Sequence, residues 1–336
     1  MIDTYLNLFI DNDYPKFVDK YLHTKTLNRI KNVTQFCGCD YTKLYSPLFL
    51  YTRFDHSLVV AHMTWHFTHD KAQTIAALLH DVGIPCFAHC IDYVFGDYMN
   101  QESSEKEITD IIMQDKELMF YLNEDGVPLD YLAKLEQFPI LENKSPQLCT
   151  DRLDGVLHTC YIWLHTHSLE QIKQVYDNLV VLKNEYGNPE IGFKNQEIAD
   201  NFVSMVFNYA KELQGNKDKY VMKYVSEIVK LSVAQNLIIL NDLYEKPEKE
   251  IVNIFANNFA SWKLFEEATT LTNTEKQPNG FYISFCTKKR NTIPLVISSN
   301  KINRIIKISE KAKRIYSELE DYRDTKFAYV KSLKKL

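Results

Sequence analysis

The chain of 336 residues is 45% hydrophobic and 25% charged, with only nine glycines and ten prolines. This composition excludes a disordered, fibrous or turn-rich β protein and leaves room for one large domain with appendages, or for two subdomains. A formal net charge of −5 gives no electrostatic reason for general nucleic-acid affinity, which rests on clustered Lys and Arg.

In chain order, the 3.6-residue apolar spacing predicts helices near 2–22, 26–36, 55–69, 71–82, 103–116 and 147–166. Ser104 with Glu107, and Ser168 with Gln171, read as capping boxes that start helices. The helical pattern continues over 168–185, 195–214, 218–243, 248–270 and 300–332. FYISFC (281–286) and IPLVISS (293–299) are β-branched or aromatic-rich and flanked by turn residues, so they read as a hairpin near 281–299 appended to a helical body. Gly187, Pro189 and Gly192 cluster in the polar stretch 185–194, which suggests a first unit over 1–186 and a second, helical C-terminal region over 187–336. The fold expected is all-α. Residues 301–336 carry eleven Lys or Arg against five Asp or Glu, read as a solvated helix face before a phosphate or partner surface.

Seven cysteines, an odd number, do not make a disulfide framework. The first residues lack the basic region of a secretory signal, and no run of 18 apolar residues occurs. The expectation is a reduced, cytoplasmic protein that does not enter a membrane.

Six of the ten histidines lie between positions 56 and 89. His80 and Asp81 follow the apolar run TIAALL and precede Gly83 and Pro85, a helix end whose glycine can take the left-handed conformation. A lone His-Asp dipeptide is a weak signal, and a core histidine bonded to a carbonyl is its ordinary alternative. Imidazole and carboxylate ligands together suit a first-row divalent ion, however, and such an ion needs more than two protein ligands. His56, one helix earlier, and Asp151, opening the helix DRLDGVLHTCYIWLH, can complete the set. Water at an open position would then be the nucleophile. His62, His66 and His69 are read as packing near Trp65 rather than as a second metal site.

The order His56, then His80-Asp81, then Asp151 resembles the metal-dependent phosphohydrolases of the HD superfamily. More narrowly, the chain resembles the deoxynucleoside triphosphate triphosphohydrolase (dGTPase-like) branch. Arg53-Phe54-Asp55-His56-Ser57 is similar to that branch's RFEHS motif, and Gly83, Phe87, His89 and Asp92 fall where it has a Gly, a Phe, a catalytic His and its carboxylate partner. LNRIKNVTQF resembles its helix ending in a Gln near the nucleotide, here Gln35, and DRLDGVL its metal Asp followed by a phosphate-binding basic residue, here Asp151 and Arg152. The resemblance spans roughly residues 20–165. It departs at Ile84, where that branch commonly has His, at Gln101-Glu102 in place of a His-Glu pair, and at Gly155 in place of a substrate-touching Tyr.

What the resemblance implies is an HD-domain helical bundle holding one divalent transition metal ion (Fe, Mn, Zn, Ni or Co) on His56, His80, Asp81 and Asp151, with Mg able to accompany the substrate. His89 oriented by Asp92 is the expected general acid, and Arg53, Arg152 and Gln35 are the expected substrate contacts. The expected reaction is attack of metal-bound hydroxide on a nucleotide phosphorus, a (deoxy)nucleoside triphosphate first, in a homo-oligomer. Monophosphate or phosphodiester hydrolysis, and a catalytically silent nucleotide-sensing module, are the alternatives.

Overall fold

The structure is a computed structural model describing residues 1–10, 13–99 and 108–336. Two successive helices form the heart of its N-terminal half. The first, Arg53–Thr68, starts at a reciprocal capping box in which Asp55 N donates to Thr52 Oγ1 and Thr52 N donates to Asp55 Oδ2. His69 ends it with φ 49°, and Asp70 caps the next helix, Lys71–Leu79, by accepting from Gln73 N. Every residue of that second helix from Gln73 to Leu79 is buried, so packing on all sides rather than along one stripe holds it. The helix Thr150–His158 packs against Arg53–Thr68 and runs into a π-helical turn, Thr159–Trp163. Thr64 and Thr150 hydroxyls hydrogen-bond across this contact at 2.9 Å.

The C-terminal half adds the helices Gln196–Gln214, Asn216–Ala234, Glu248–Asn258, Ala260–Glu266 and Glu310–Asp321. Phe202, Val206, Tyr224 and Trp262 from these helices share one buried core with Leu153, Val156 and Leu157 of the Asp151 helix. Among the described residues, no helix is long and apolar enough to cross a membrane.

The described residues include six strands: β1 (Leu179–Lys183), β2 (Pro189–Phe193), β3 (Thr272–Thr274), β4 (Leu295–Ser298), β5 (Lys301–Arg304) and β6 (Phe327–Tyr329). One sheet runs β1-β2-β4-β5, antiparallel except for the parallel β2/β4 pair in which Gly192 faces Leu295. A Cβ at Gly192 would stand 2.7 Å from Leu182 Cδ1 and 2.8 Å from the Leu295 carbonyl oxygen, so the close approach of the three strands requires glycine there. β3 and β6 form a second, two-stranded sheet.

The protein is therefore mostly helical with two small sheets, and the all-α expectation needs correction. The helix expected over 168–185 begins at its Ser168–Gln171 capping box but stops at Asp177, and Leu179–Lys183 becomes β1. Segments 281–286 and 293–299 do not pair with each other. Ile283 makes an isolated bridge to Ala328, while Leu295–Ser298 pairs with β2 and β5. The long helix expected over 300–332 is divided into β5, Ile305–Ile308, Glu310–Asp321 and β6. Of that expected over 2–22, the described residues form Ile2–Leu6 and a 3-10 turn at Lys16–Val18. The Ser104–Glu107 capping box and Gln101-Glu102 lie outside the described residues. Gly83 does not adopt the left-handed conformation; Phe87 (φ 60°) and Ala88 (φ 43°) do.

Candidate metal centre

Three separated segments bring His56, His80 and Asp151 together. His56 lies in the first turn of Arg53–Thr68, His80 caps the C-terminus of Lys71–Leu79, and Asp151 lies in the first turn of Thr150–His158, where the helix dipole favours a carboxylate. Asp151 Oδ1 stands 3.1 Å from His56 Nε2 and 3.6 Å from His80 Nε2. Asp81 lies beside them, with Oδ1 3.6 Å from His80 Nε2 and Oδ2 3.9 Å from His56 Nε2, but Oδ2 also accepts from Arg53 at 2.9 Å.

These residues fit a divalent ion. Ligand atoms about 2.0 to 2.2 Å from one ion lie about 3 to 3.5 Å from each other, close to the separations found. His80 Nδ1 donates to the Ala77 carbonyl at 2.7 Å, which turns the Nε2 lone pair toward the cluster. Nε2 is buried and has no hydrogen-bond partner among the described residues, and a polar atom left in that condition is costly unless something fills the space. The carbonyl-bonded histidine of the bland reading is thus present at one nitrogen, while the other faces the site. Burial alone would depress the His56 imidazolium, but hydrogen bonds to Asp151 and Asp154 outweigh it and raise its pKa to about 10. Burial would raise Asp151, yet the two histidines hold its carboxyl well below the usual range. A bound cation would replace these protons.

Behind the cluster, Asp154 holds His56. This carboxylate is fully buried and accepts from Tyr5 Oη (2.7 Å), Tyr51 Oη (3.0 Å), His56 Nδ1 (2.7 Å) and His158 Nδ1 (3.2 Å). Such a partner fixes the tautomer of a ligating histidine and raises its basicity. Sequence reasoning missed this role, although Asp154, three residues after Asp151, falls on a neighbouring face of the same helix. His56, Asp154 and His158 are also close enough to form a ligand group, but the four donors already satisfy the carboxylate.

His89 Nδ1 pairs with Asp92 Oδ2 at 3.0 Å, with Asp92 fully buried. Burial lowers the His89 pKa, and the charges of Arg290 and Arg53 push it further down against the raising effect of Asp92. The loop before His89 is pinned from outside the N-terminal half: Phe87 N donates to Glu248 Oε2 at 2.8 Å, and Cys86 N to the Leu243 carbonyl at 2.8 Å. Arg29 NH2 donates to the carbonyls of Val82 and Ile84 at 2.7 and 2.8 Å, bracing the turn after Asp81. Neither Arg29 nor Glu248 was legible as a site support in the sequence.

Arg53 is buried against Asp81 and Cys37, and at the Thr34–Thr52 bridge Gln35 N donates to the Tyr51 carbonyl at 2.9 Å. Gln35 Oε1 is buried without a partner among the described residues. Arg152 differs from its expected role. Its Nε donates to the Gln147 carbonyl, NH1 to Glu142 and NH2 to Asn143, so its contacts brace the 142–147 loop. His62, His66 and His69 pack on Tyr14, Phe67 and Trp65 respectively. A cleft of about 630 Å³ elsewhere contains none of these residues, and its Lys211 and Lys217 are balanced by Glu212 and Asp324.

No family profile matches the chain. It is similar to the uncharacterized protein YdhJ of Bacillus subtilis, 27% identical over 205 residues, which cover 60% of each protein. It is also similar to an uncharacterized protein of Mycoplasma genitalium, 24% identical over 221 residues, which cover 58% of this chain and 50% of that one. The chain thus spans about 60% and 50% of the lengths of these relatives. Among solved structures, a hypothetical protein from Aquifex aeolicus is similar with a TM-score of 0.57 and 16% identity, covering 94% of this chain and 92% of that one. A phosphohydrolase from Bacteroides thetaiotaomicron is similar with a TM-score of 0.62 and 12% identity, covering 97% of both. At such identities the likeness defines a shared fold. Beside that fold, His/Asp groups of this chain lie close enough together to hold a metal ion.

Proposed function

We propose that the protein is a metal-dependent phosphohydrolase of the HD kind acting on a nucleotide, with a (deoxy)nucleoside triphosphate as the first substrate class. The observation that carries this reading is the convergence of His56 Nε2, His80 Nε2 and Asp151 Oδ1 from three segments, with His80 Nε2 buried and without a partner among the described residues. A divalent ion held by His56, His80 and Asp151, with Asp81 alongside, would lower the pKa of water toward neutrality and draw charge from a phosphoryl oxygen.

The chain's own groups supply the rest. Asp154 keeps His56 in the Nδ1–H tautomer, so that Nε2 presents its lone pair. Asp92 orients His89 through Nδ1, leaving Nε2 to deliver a proton to the leaving oxygen. Arg53, anchored on Asp81, supplies positive charge for phosphate. With burial and two arginines depressing His89, an incoming phosphate offsets the positive charges and favours the imidazolium when an acid is needed.

Metal content, together with a nucleotide panel assayed for released phosphate, triphosphate and nucleoside, tests the reading. Wild-type protein is expected to carry a divalent metal and turn over, and the His80→Ala, Asp81→Ala double variant to do neither. Undiminished hydrolysis by that variant rejects the mechanism, and nucleotide binding without turnover across the divalent series replaces hydrolysis with sensing.

A further inference from the structure

His89 directly follows two residues of left-handed backbone, Phe87 (φ 60°) and Ala88 (φ 43°). Non-glycine residues rarely adopt this conformation, and it persists only where the surroundings hold it. Here the hold comes from the segment 243–255. Cys86 N donates to the Leu243 carbonyl (2.8 Å), Cys86 Sγ to the Lys246 carbonyl (3.3 Å) and Phe87 N to Glu248 Oε2 (2.8 Å). The Phe87 ring stacks on Phe255 at a centroid distance of 5.6 Å.

Glu248 joins this loop to a second part of the site. The residue is buried, and its two carboxylate oxygens take different partners. Oε2 accepts the Phe87 amide, two residues before His89. Oε1 accepts from Thr34 Oγ1 (2.8 Å) and Tyr41 Oη (2.9 Å). Thr34 in turn bridges to Thr52, the capping residue of the helix Arg53–Thr68 that carries His56. The Glu248 backbone is tied to the same segment, its N–H donating to the Asn32 carbonyl at 3.2 Å. Burial disfavours a carboxylate, so packing alone would favour an apolar residue at 248. Three donors arriving from two directions are what the carboxylate satisfies.

We propose that Glu248 is a positioning residue: by holding the Phe87 amide on one oxygen and the approach to the His56 helix on the other, it fixes where the His89 imidazole stands relative to the His56–His80–Asp151 cluster. This rests on the hydrolase reading of that cluster. Glu248 touches no reacting atom, and its effect passes through His89. It therefore bears on the step in which the leaving oxygen takes a proton and spares the binding of metal and substrate.

The experiment compares two substrates on metal-loaded full-length protein: dGTP, and the nitrophenyl ester of thymidine monophosphate, whose phenolate leaves without needing a proton. Metal content and backbone amide exchange are measured on the same preparations. Glu248→Leu is expected to lower kcat for dGTP about 100-fold, as for a misplaced catalytic group, with KM, metal content and turnover of the nitrophenyl ester little changed. Exchange of the Phe87 amide should quicken, and the change should stay within 86–90. Glu248→Gln keeps an acceptor for that amide and should recover most of the loss. Thr34→Val severs only the other arm; it should give a smaller loss with the same substrate dependence, and it serves as the test where Glu248→Leu does not fold. Equal losses on both substrates, loss of metal alongside turnover, or unchanged Phe87 exchange in Glu248→Leu each overturns the proposal. A wild type that hydrolyses neither substrate removes the hydrolase reading, and amide exchange then decides the clamp by itself: quickening confined to 86–90 upholds it, and no change overturns it.

Discussion

Replacing Asp154 with Asn tests how the cluster is held. The carboxylate accepts four hydrogen bonds, three at Oδ2 from Tyr51, His56 and His158 and one at Oδ1 from Tyr5. Charged hydrogen bonds contribute about 1.5 to 3 kcal/mol each and neutral ones about 0.5 to 1.5, a difference of about 1 to 1.5 per bond, so four conversions cost roughly 4 to 6 kcal/mol. An amide oxygen at the Oδ2 position keeps three donors, and its NH2 then faces Tyr5, whose hydroxyl can turn to accept. The variant should therefore keep these contacts at a cost of about 4 to 6 kcal/mol. His56 loses its anionic partner, and metal affinity should fall about 10- to 100-fold. Calorimetric titration of Mn²⁺ or Zn²⁺ into metal-stripped protein reads this directly. Tyr5→Phe is the control, because it removes one donor and leaves the charge; it should cost about 1 kcal/mol of stability with little change in metal affinity. Wild-type metal affinity in Asp154→Asn would refute the reasoning.

Three further outcomes are expected. Arg304 pairs through two nitrogens with fully buried Glu190, at 2.5 and 2.7 Å, and Glu190 also accepts from Leu148 N just before the Asp151 helix; Arg304→Ala should cost about 3 to 5 kcal/mol in urea unfolding by stranding that carboxylate. Burial, with the Glu248 charge second, raises Asp40 to about 7. The native state therefore holds a proton that the unfolded state releases, and stability falls as pH rises from the ordinary carboxylate range toward 7. Thr34 Oγ1, with one proton, lies 2.8 Å from Glu248 and 3.2 Å from Asp40, as expected if it donates to the first and accepts from a protonated second. Asp40→Asn should gain stability relative to wild type at pH 8 compared with pH 5, and equal differences at both would exclude the shared proton. His89→Gln should lower kcat about 10² to 10⁴-fold. In the wild type, kcat/KM should decline as pH rises through the depressed His89 pKa, and persistence of that limb in the variant would assign it to another group.

The convergence of His56, His80 and Asp151 was legible because it depends on residue type and order: histidine density, a His-Asp pair at the end of an apolar helix, and an aspartate opening a later one. Its supports were not. Asp154, Arg29 and Glu248 act through contacts spanning 98, 53 and 161 residues of sequence respectively, and no local pattern encodes such pairings. The sheet was missed for a different reason. LVVL at 179–182 continues the apolar spacing of the preceding helix, and a short apolar run does not distinguish helix from strand; the pairing with β2 decides it. Likewise IPLVISS reads correctly as extended, but its neighbours are β2 and β5 rather than FYISFC. Arg152 illustrates the limit of motif transfer, since its position matches a phosphate ligand while its three nitrogens are committed to the 142–147 loop.

Anomalous diffraction from a crystal of the protein grown with its native divalent metal, recorded on both sides of that metal's absorption edge, tests the central claim most directly. The account predicts one peak within bonding distance of His56 Nε2, His80 Nε2 and Asp151 Oδ1, lost in Asp151→Ala crystals. An ordered His80 imidazole with no peak beside it, in crystals whose metal content is confirmed, would contradict the account.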